Sequence, residues 1–215
     1  MLAGHFGLAA IVKSRQPQLP LWALMLGTSL LDVVFVVLYF AGVESYRVVP
    51  GTGGGYGEKL FTADYSHSLV GALVISLVAL VITWVVWGRR NALVMGLVVF
   101  SHWVLDFIMH RGDLAILPND PNGLHVGLGL WTIPWAAIAL ELALCVVGVY
   151  LYYHASMRMA VRLERQQTKT IVPLSTTSMT STSMANAGYP RNALVATMVM
   201  LVLMVGTLAA DVLVP

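Results

Sequence analysis

The chain has 215 residues, of which 58% are hydrophobic and only 10% charged, against roughly 25% charged in a soluble domain. That balance excludes an ordinary soluble globular protein, and a net charge of +2 is too small to predict nucleic-acid binding. The single cysteine, Cys145, rules out an internal disulfide and says nothing of the redox compartment.

In chain order, residues 2–12 are apolar but number only about eleven, a length that suits an interfacial or re-entrant helix rather than a full span. The basic residues Lys13 and Arg15 follow this run instead of preceding it, so it does not read as a cleavable signal peptide. Five runs then approach the ~20 residues that cross a hydrocarbon core: 19–41, 68–88, 91–109, 128–153 and 192–213. The predicted fold is all-α, a polytopic membrane helical bundle of about five transmembrane helices plus the short N-terminal helix. If the spans alternate, nine basic residues (Lys13, Arg15, Arg89, Arg90, Arg158, Arg162, Arg165, Lys169 and Arg191) share one face, and Arg47, Lys59 and Arg111 the other. The positive-inside rule then places the N-terminus in the cytoplasm and the C-terminus outside, in an inner (plasma) membrane.

The outward loops are 42–65 and 110–127. The glycine-rich stretch 51–57 within the first lacks the Gly-Lys-Ser/Thr of a phosphate loop and reads as a flexible connector. Residues 1–155 are the expected membrane-embedded core. Residues 156–190 read as a basic, then Ser/Thr/Met-rich cytoplasmic linker, and 191–215 as an anchor helix outside the functional core.

Span 91–109 carries the chemistry. His102, Asp106 and His110 stand four apart, so two imidazoles and a carboxylate line one helix face. An ionisable group in a bilayer costs at least a few kcal/mol unless paired, hydrated or bound to metal, and a bound cation is the simplest reason for three on one stripe. At 1.5 Å per residue, Asp106 lies roughly 6 Å and His102 roughly 12 Å deeper than His110. His67 opens the second span, Asp32 lies within the first, and Glu141 sits near the middle of the fourth. These can converge in the outer half of a bundle, as metal sites in helical bundles do. Imidazole and carboxylate donors without sulfur suit zinc first, then manganese or iron. A free carboxylate, Asp64 or Glu141, could act as general base or orient a water. Ser66, Ser68 and Ser101 stand beside the histidines as supporting donors or as helix-packing residues. His125 and His154 read as surface histidines, and Asp113 and Asp120 as solvated loop residues.

These residues resemble the YdjM-like family, described as LexA-binding, inner-membrane-associated metal-dependent hydrolases. The resemblance rests on Gly4-His5, on Leu30-Leu31-Asp32, on Ser66-His67-Ser68-Leu69, and on Ser101, His102 and Asp106 followed by Gly112 and Pro118. It covers roughly the first 120 residues and implies a metal-binding role for His5, Asp32, His67, His102 and Asp106. Val34 stands where the family has the second Asp of an Asp-x-Asp pair, and Thr62 where it has a further His. His110 and Asp64 are the substitutes nearest to hand. His5 reaches the others only if the N-terminal segment re-enters toward the midplane.

The expected function is a membrane-embedded metal-dependent hydrolase acting on a lipid-borne or membrane-proximal ester or phosphoester. A transporter or proton-coupled carrier using Asp32, Glu141 and the His102/Asp106 stripe is the alternative, though no inverted repeat is visible. A b-type haem protein fits poorly with Asp106 between two histidines, and a scaffold with a degenerate site remains a fourth reading.

Overall fold

The computed structural model describes residues 1–48, 59–120, 122–171 and 188–213. The glycine-rich stretch and most of the Ser/Thr/Met-rich linker lie outside the described residues. The elements in chain order are α1 (Leu2–Arg15), α2 (Leu21–Thr28), α3 (Leu30–Phe40), β1 (Ser45–Val48), β2 (Lys59–Thr62), α4 (Leu69–Trp87) and α5 (Arg89–Met109). Then come β3 (Leu114–Ala115), β4 (His125–Val126), a 3-10 turn (Leu130–Thr132), α6 (Pro134–Ile171) and α7 (Gly188–Leu213). The protein is mostly helical, as expected. The two small antiparallel hairpins, β1 with β2 and β3 with β4, were not expected from an all-α reading.

Three helices among the described residues are long and apolar enough to cross a membrane: α4, α5 and the Pro134–Leu163 part of α6. The α2–α3 pair makes a fourth if its two arms count as one span, and the apolar stretch Leu194–Ala209 of α7 falls short. Large apolar side chains stay exposed along α4, among them Leu73, Val74, Leu77, Val81 and Trp84. Such a surface suits lipid, since soluble monomers rarely expose large contiguous apolar patches.

The stretch 19–41 is not one straight helix. Its two arms meet at Ser29 with a bend of 56°. The cause is local: Thr28 Oγ1 and Ser29 Oγ both donate back to Met25 O, at 3.0 and 2.9 Å, and such back-bonding next to Gly27 bends helices. Gly27 itself packs against Met95 and Val98 of α5, where a Cβ would lie 2.7 Å from Met95 Sδ.

The fourth span also differs from expectation. Leu128 N–H donates to Phe107 O at 2.8 Å and a 3-10 turn follows, so the helix starts only at Pro134, a residue suited to a first helical position. It then runs 38 residues to Ile171, so the basic first part of the expected linker is helix. The apolar α7, expected to lie outside the core, buries Met200 and Met204 in a cluster with Ala3, Ala10, Cys145 and Tyr152. It thus backs onto α1 and α6.

α1 has 14 residues, about 21 Å at 1.5 Å per residue, too short to cross a ~30 Å core. It lies against α6 with Ala3, Gly4, His5, Gly7, Ala9 and Ala10 buried. The approach is close because the contact is made of glycines. A Cβ on Gly7 would lie 2.6 Å from the Leu144 carbonyl carbon and oxygen, and one on Gly148 would collide with Gly7 O. Small residues let membrane helices meet backbone to backbone. Gly148→Leu is therefore expected to lower the thermal stability of purified protein by about 1–3 kcal/mol. Gly206→Ala, where a Cβ meets nothing within 4 Å, should leave the melting curve unchanged.

Candidate metal centre

Five side chains from four separate elements meet at one end of the bundle. His102 and Asp106 come from one face of α5, His5 from α1, Asp32 from the first turn of α3, and His67 from the turn before α4. Asp106 is their hub. Its oxygens lie 3.3 Å from His5 Nε2, 3.6 Å from His67 Nε2 and 3.1 Å from His102 Nε2. Asp32 Oδ1 stands 3.5 Å from both His67 Nε2 and His102 Nε2. His5 stacks on His102, with ring centroids 3.9 Å apart and planes 10° apart. Two groups of three, His5–His102–Asp106 and Asp32–His67–His102, have all their ligand atoms within 4.8 Å of one another. They share His102, so they outline one ion position or two adjoining ones.

The imidazoles are oriented from behind. His102 Nδ1 lies 2.6 Å from Thr28 O, and a carbonyl can only accept, so Nδ1 carries the proton. That carbonyl is available because the helix breaks at Ser29. His67 Nδ1 lies 2.7 Å from Ser66 Oγ, which in turn lies 2.7 Å from Glu44 Oε2. A carboxylate accepts, so Ser66 O–H donates to Glu44 and receives the His67 Nδ1–H. Glu44 is only 3% exposed and takes the Tyr65 and Ser66 N–H groups as well, both at 2.8 Å. His110 Nδ1 lies 2.8 Å from Asp113 Oδ1. Burial pushes the Asp113 carboxyl up, but the hydrogen bonds from His110 and the Phe61 N–H outweigh it and hold the carboxyl below its ordinary value.

With Nδ1 protonated in each ring, Nε2 of His67, His102 and His110 presents a lone pair toward carboxylate oxygens. A lone pair facing a carboxylate is repulsive unless a proton or a cation lies between them. His102 Nε2 is buried with no hydrogen-bond partner. Two carboxylates bring two negative charges, which one divalent ion balances. Histidines whose second nitrogen is fixed by a carbonyl or carboxylate are typical metal ligands. The donor set fits a divalent metal.

The front of the centre opens into a cavity of about 80 Å³, lined by Asp32, Asp106, His110 and the aromatic side chains Phe35, Phe61 and Trp131, among others. Asp32 is the open member of the cluster, with its side chain 42% exposed against 6% for Asp106. His110 caps α5 and lines the cavity, with Nε2 3.9 Å from Asp106 Oδ2. It belongs to neither group of three.

Of the residues predicted for proton chemistry, neither lines this cavity. Glu141 is wholly buried on α6 and its Oε2 accepts the Gly4 N–H of the first turn of α1 at 3.3 Å, so it supports the end of the helix that carries His5. Asp64 is half-buried in the turn before His67. Asp113 is a correction: it is not a solvated loop residue, because it bridges His110 and the Phe61 N–H at 3.1 Å. Ser66 is a supporting donor, whereas Ser68 accepts the Gly71 N–H to cap α4 and Ser101 bonds within α5 to Val98 O. Val34 is half-buried on α3, and Thr62 is exposed opposite Ser45 in the hairpin. Neither lines the cavity. His125 bonds Gly123 O in β4, and His154 is exposed beside Tyr150 and Tyr153.

Sequence reasoning missed Glu44 and the Thr28 carbonyl. Glu44 meets Ser66 across 22 residues of chain, a separation no local pattern reveals. The Thr28 carbonyl is freed by a break that the apolar run conceals. No protein-family model matches the chain, and no curated protein or solved structure does either.

Glu44→Gln and Ser66→Ala are expected to weaken divalent-metal affinity by about 10–100-fold while leaving the helical circular-dichroism signal intact. Asp64→Asn should not change the affinity. A larger effect from Asp64→Asn than from either of the others would contradict the hydrogen-bond chain behind His67.

Proposed function

We propose that the protein is an integral-membrane, metal-dependent hydrolase acting on a lipid-borne or membrane-proximal ester or phosphoester, with zinc the first choice of metal and manganese or iron the alternatives. The observation that carries this reading is the convergence of three histidines and two aspartates from four elements, with the Nε2 lone pairs of His67 and His102 turned toward carboxylates. The resemblance to the YdjM-like family supports the same class. The topology that goes with it has five spans, the N-terminus in the cytoplasm and the C-terminus outside an inner membrane, with α7 as the fifth.

His5, His67, His102, Asp32 and Asp106 hold the ion. When bound, a divalent ion supplies Lewis acidity and lowers the pKa of water in its shell. His110 takes the role first given to Asp64 or Glu141. It lines the cavity, and Asp113 fixes its Nδ1–H so that Nε2 is free to accept a proton there. Phe35, Phe61 and Trp131 limit water around the centre and offer an apolar wall to an acyl chain. The lipid-borne substrate is supported by α3: beside the half-open Asp32, Val33, Val36 and Val37 are exposed apolar side chains.

The test is metal analysis of detergent-purified protein together with turnover of ester and phosphoester lipids in proteoliposomes. About one equivalent of metal is expected, and His102→Ala or Asp106→Ala should remove it. His110→Gln should keep the metal and slow turnover by about 10²-fold or more. Metal content unchanged in both the His102 and Asp106 variants would overturn the reading. Metal-dependent uptake into proteoliposomes without hydrolysis would favour the carrier instead.

A further inference from the structure

A second, larger cavity of about 550 Å³ lies between the far end of α1 and the extension of α6. Eight residues separate His5 from Lys13 along α1, about 12 Å, so this cavity and the metal centre sit at opposite ends of one helix. Four cations line it, Lys13 and Arg15 from α1 with Arg158 and Arg162 from α6, and no carboxylate is among the described residues that line it.

The cations are arranged at a cost. Arg158 and Arg162 are four apart on one helix, a spacing at which like charges destabilise. None of the four has a carboxylate partner among the described residues. The Lys13 ammonium is held in place, donating to Pro17 O at 2.9 Å and Leu19 O at 2.7 Å, which leaves one N–H for a ligand. Lys13 and Arg15 also complement the C-terminal dipole of α1, but that explains nothing about the two arginines of α6. The rest of the wall includes Tyr152, Met159 and Leu163, so cations and apolar side chains line the same cavity.

We infer that this cavity binds a phosphate-bearing anion, presented by the headgroup of an anionic lipid. Guanidinium groups match phosphate oxygens in bidentate geometry, and basic pockets between membrane helices are where anionic headgroups bind. The apolar wall beside the cations is what distinguishes a lipid from free phosphate as the source. The inference does not depend on the metal centre or on hydrolysis.

The test uses the full chain and native mass spectrometry from detergent, with phosphatidylglycerol and phosphatidylcholine of identical acyl chains as probes. Phosphatidylglycerol should remain bound where phosphatidylcholine is lost. The double variant Arg158→Gln/Arg162→Gln should weaken phosphatidylglycerol binding by about tenfold or more. Arg89→Gln/Arg90→Gln makes the same charge change at the start of α5, outside the cavity, and should leave binding intact. Arg158→Lys/Arg162→Lys, which keeps both charges, covers the case in which the glutamine variant fails to fold and should retain most of the binding. Inorganic phosphate at millimolar concentration should not displace the lipid; displacement would assign the same site to soluble phosphate. Equal retention of the two lipids, or equal losses in the two glutamine variants, would overturn the inference and reduce the cluster to general interfacial charge.

Discussion

The structure depends on one buried carboxylate. Asp106 sits on a helix apolar enough to span a membrane, with its side chain only 6% exposed. An unpaired charge in that position costs several kcal/mol, so its surroundings must supply positive charge or donors. They supply imidazoles around a place for a cation: His5, His67, His102 and His110 all approach its two oxygens within 3.9 Å, and His67, His102 and His110 turn an Nε2 lone pair toward it. Each comes from a different element or a different helix turn, and much of the local architecture serves to bring them in.

That dependence explains features that look irregular alone. The break at Ser29 frees the Thr28 carbonyl for His102 Nδ1 and turns α3 so that Asp32 faces the same rings. The glycine contact between α1 and α6 lets a helix too short to span the bilayer carry His5 into stacking contact with His102. Glu141 supports the same helix end from beneath. The loop that carries Glu44 folds back to hold Ser66, and through it His67. A carboxylate surrounded by imidazoles, three of which (His67, His102 and His110) have their outer nitrogens fixed, is the arrangement expected around a metal ion, where the supporting shell sets the orientation of the ligands.

The sequence made part of this legible. Apolar runs gave α4 and α5 to within a residue or two, because each is a continuous helix ended by Gly88 or by the cap at His110. The helical spacing of His102 and Asp106 identified the central wall, and the rarity of aspartate in a span pointed to Asp32. The break in 19–41 was hidden because every residue around it is compatible with a membrane helix. The start of α6 was placed too early because Leu128–Ile133 is apolar yet committed to turns. Glu141 stood out for its depth, but depth does not say which way a side chain is used; it serves α1 and not the cavity. The pairs formed across loops, Glu44 with Ser66 and Phe61 with Asp113, leave no periodic trace.

The central claim, that the His/Asp cluster is a metal site, is tested most directly by X-ray absorption spectroscopy on detergent-purified protein. A metal held by this cluster should show nitrogen and oxygen donors at about 2.0–2.1 Å, outer-shell scattering from imidazole rings, and no sulfur at about 2.3 Å. Imidazole scattering should fall in His102→Ala. A spectrum dominated by sulfur, or one without imidazole scattering, would contradict it.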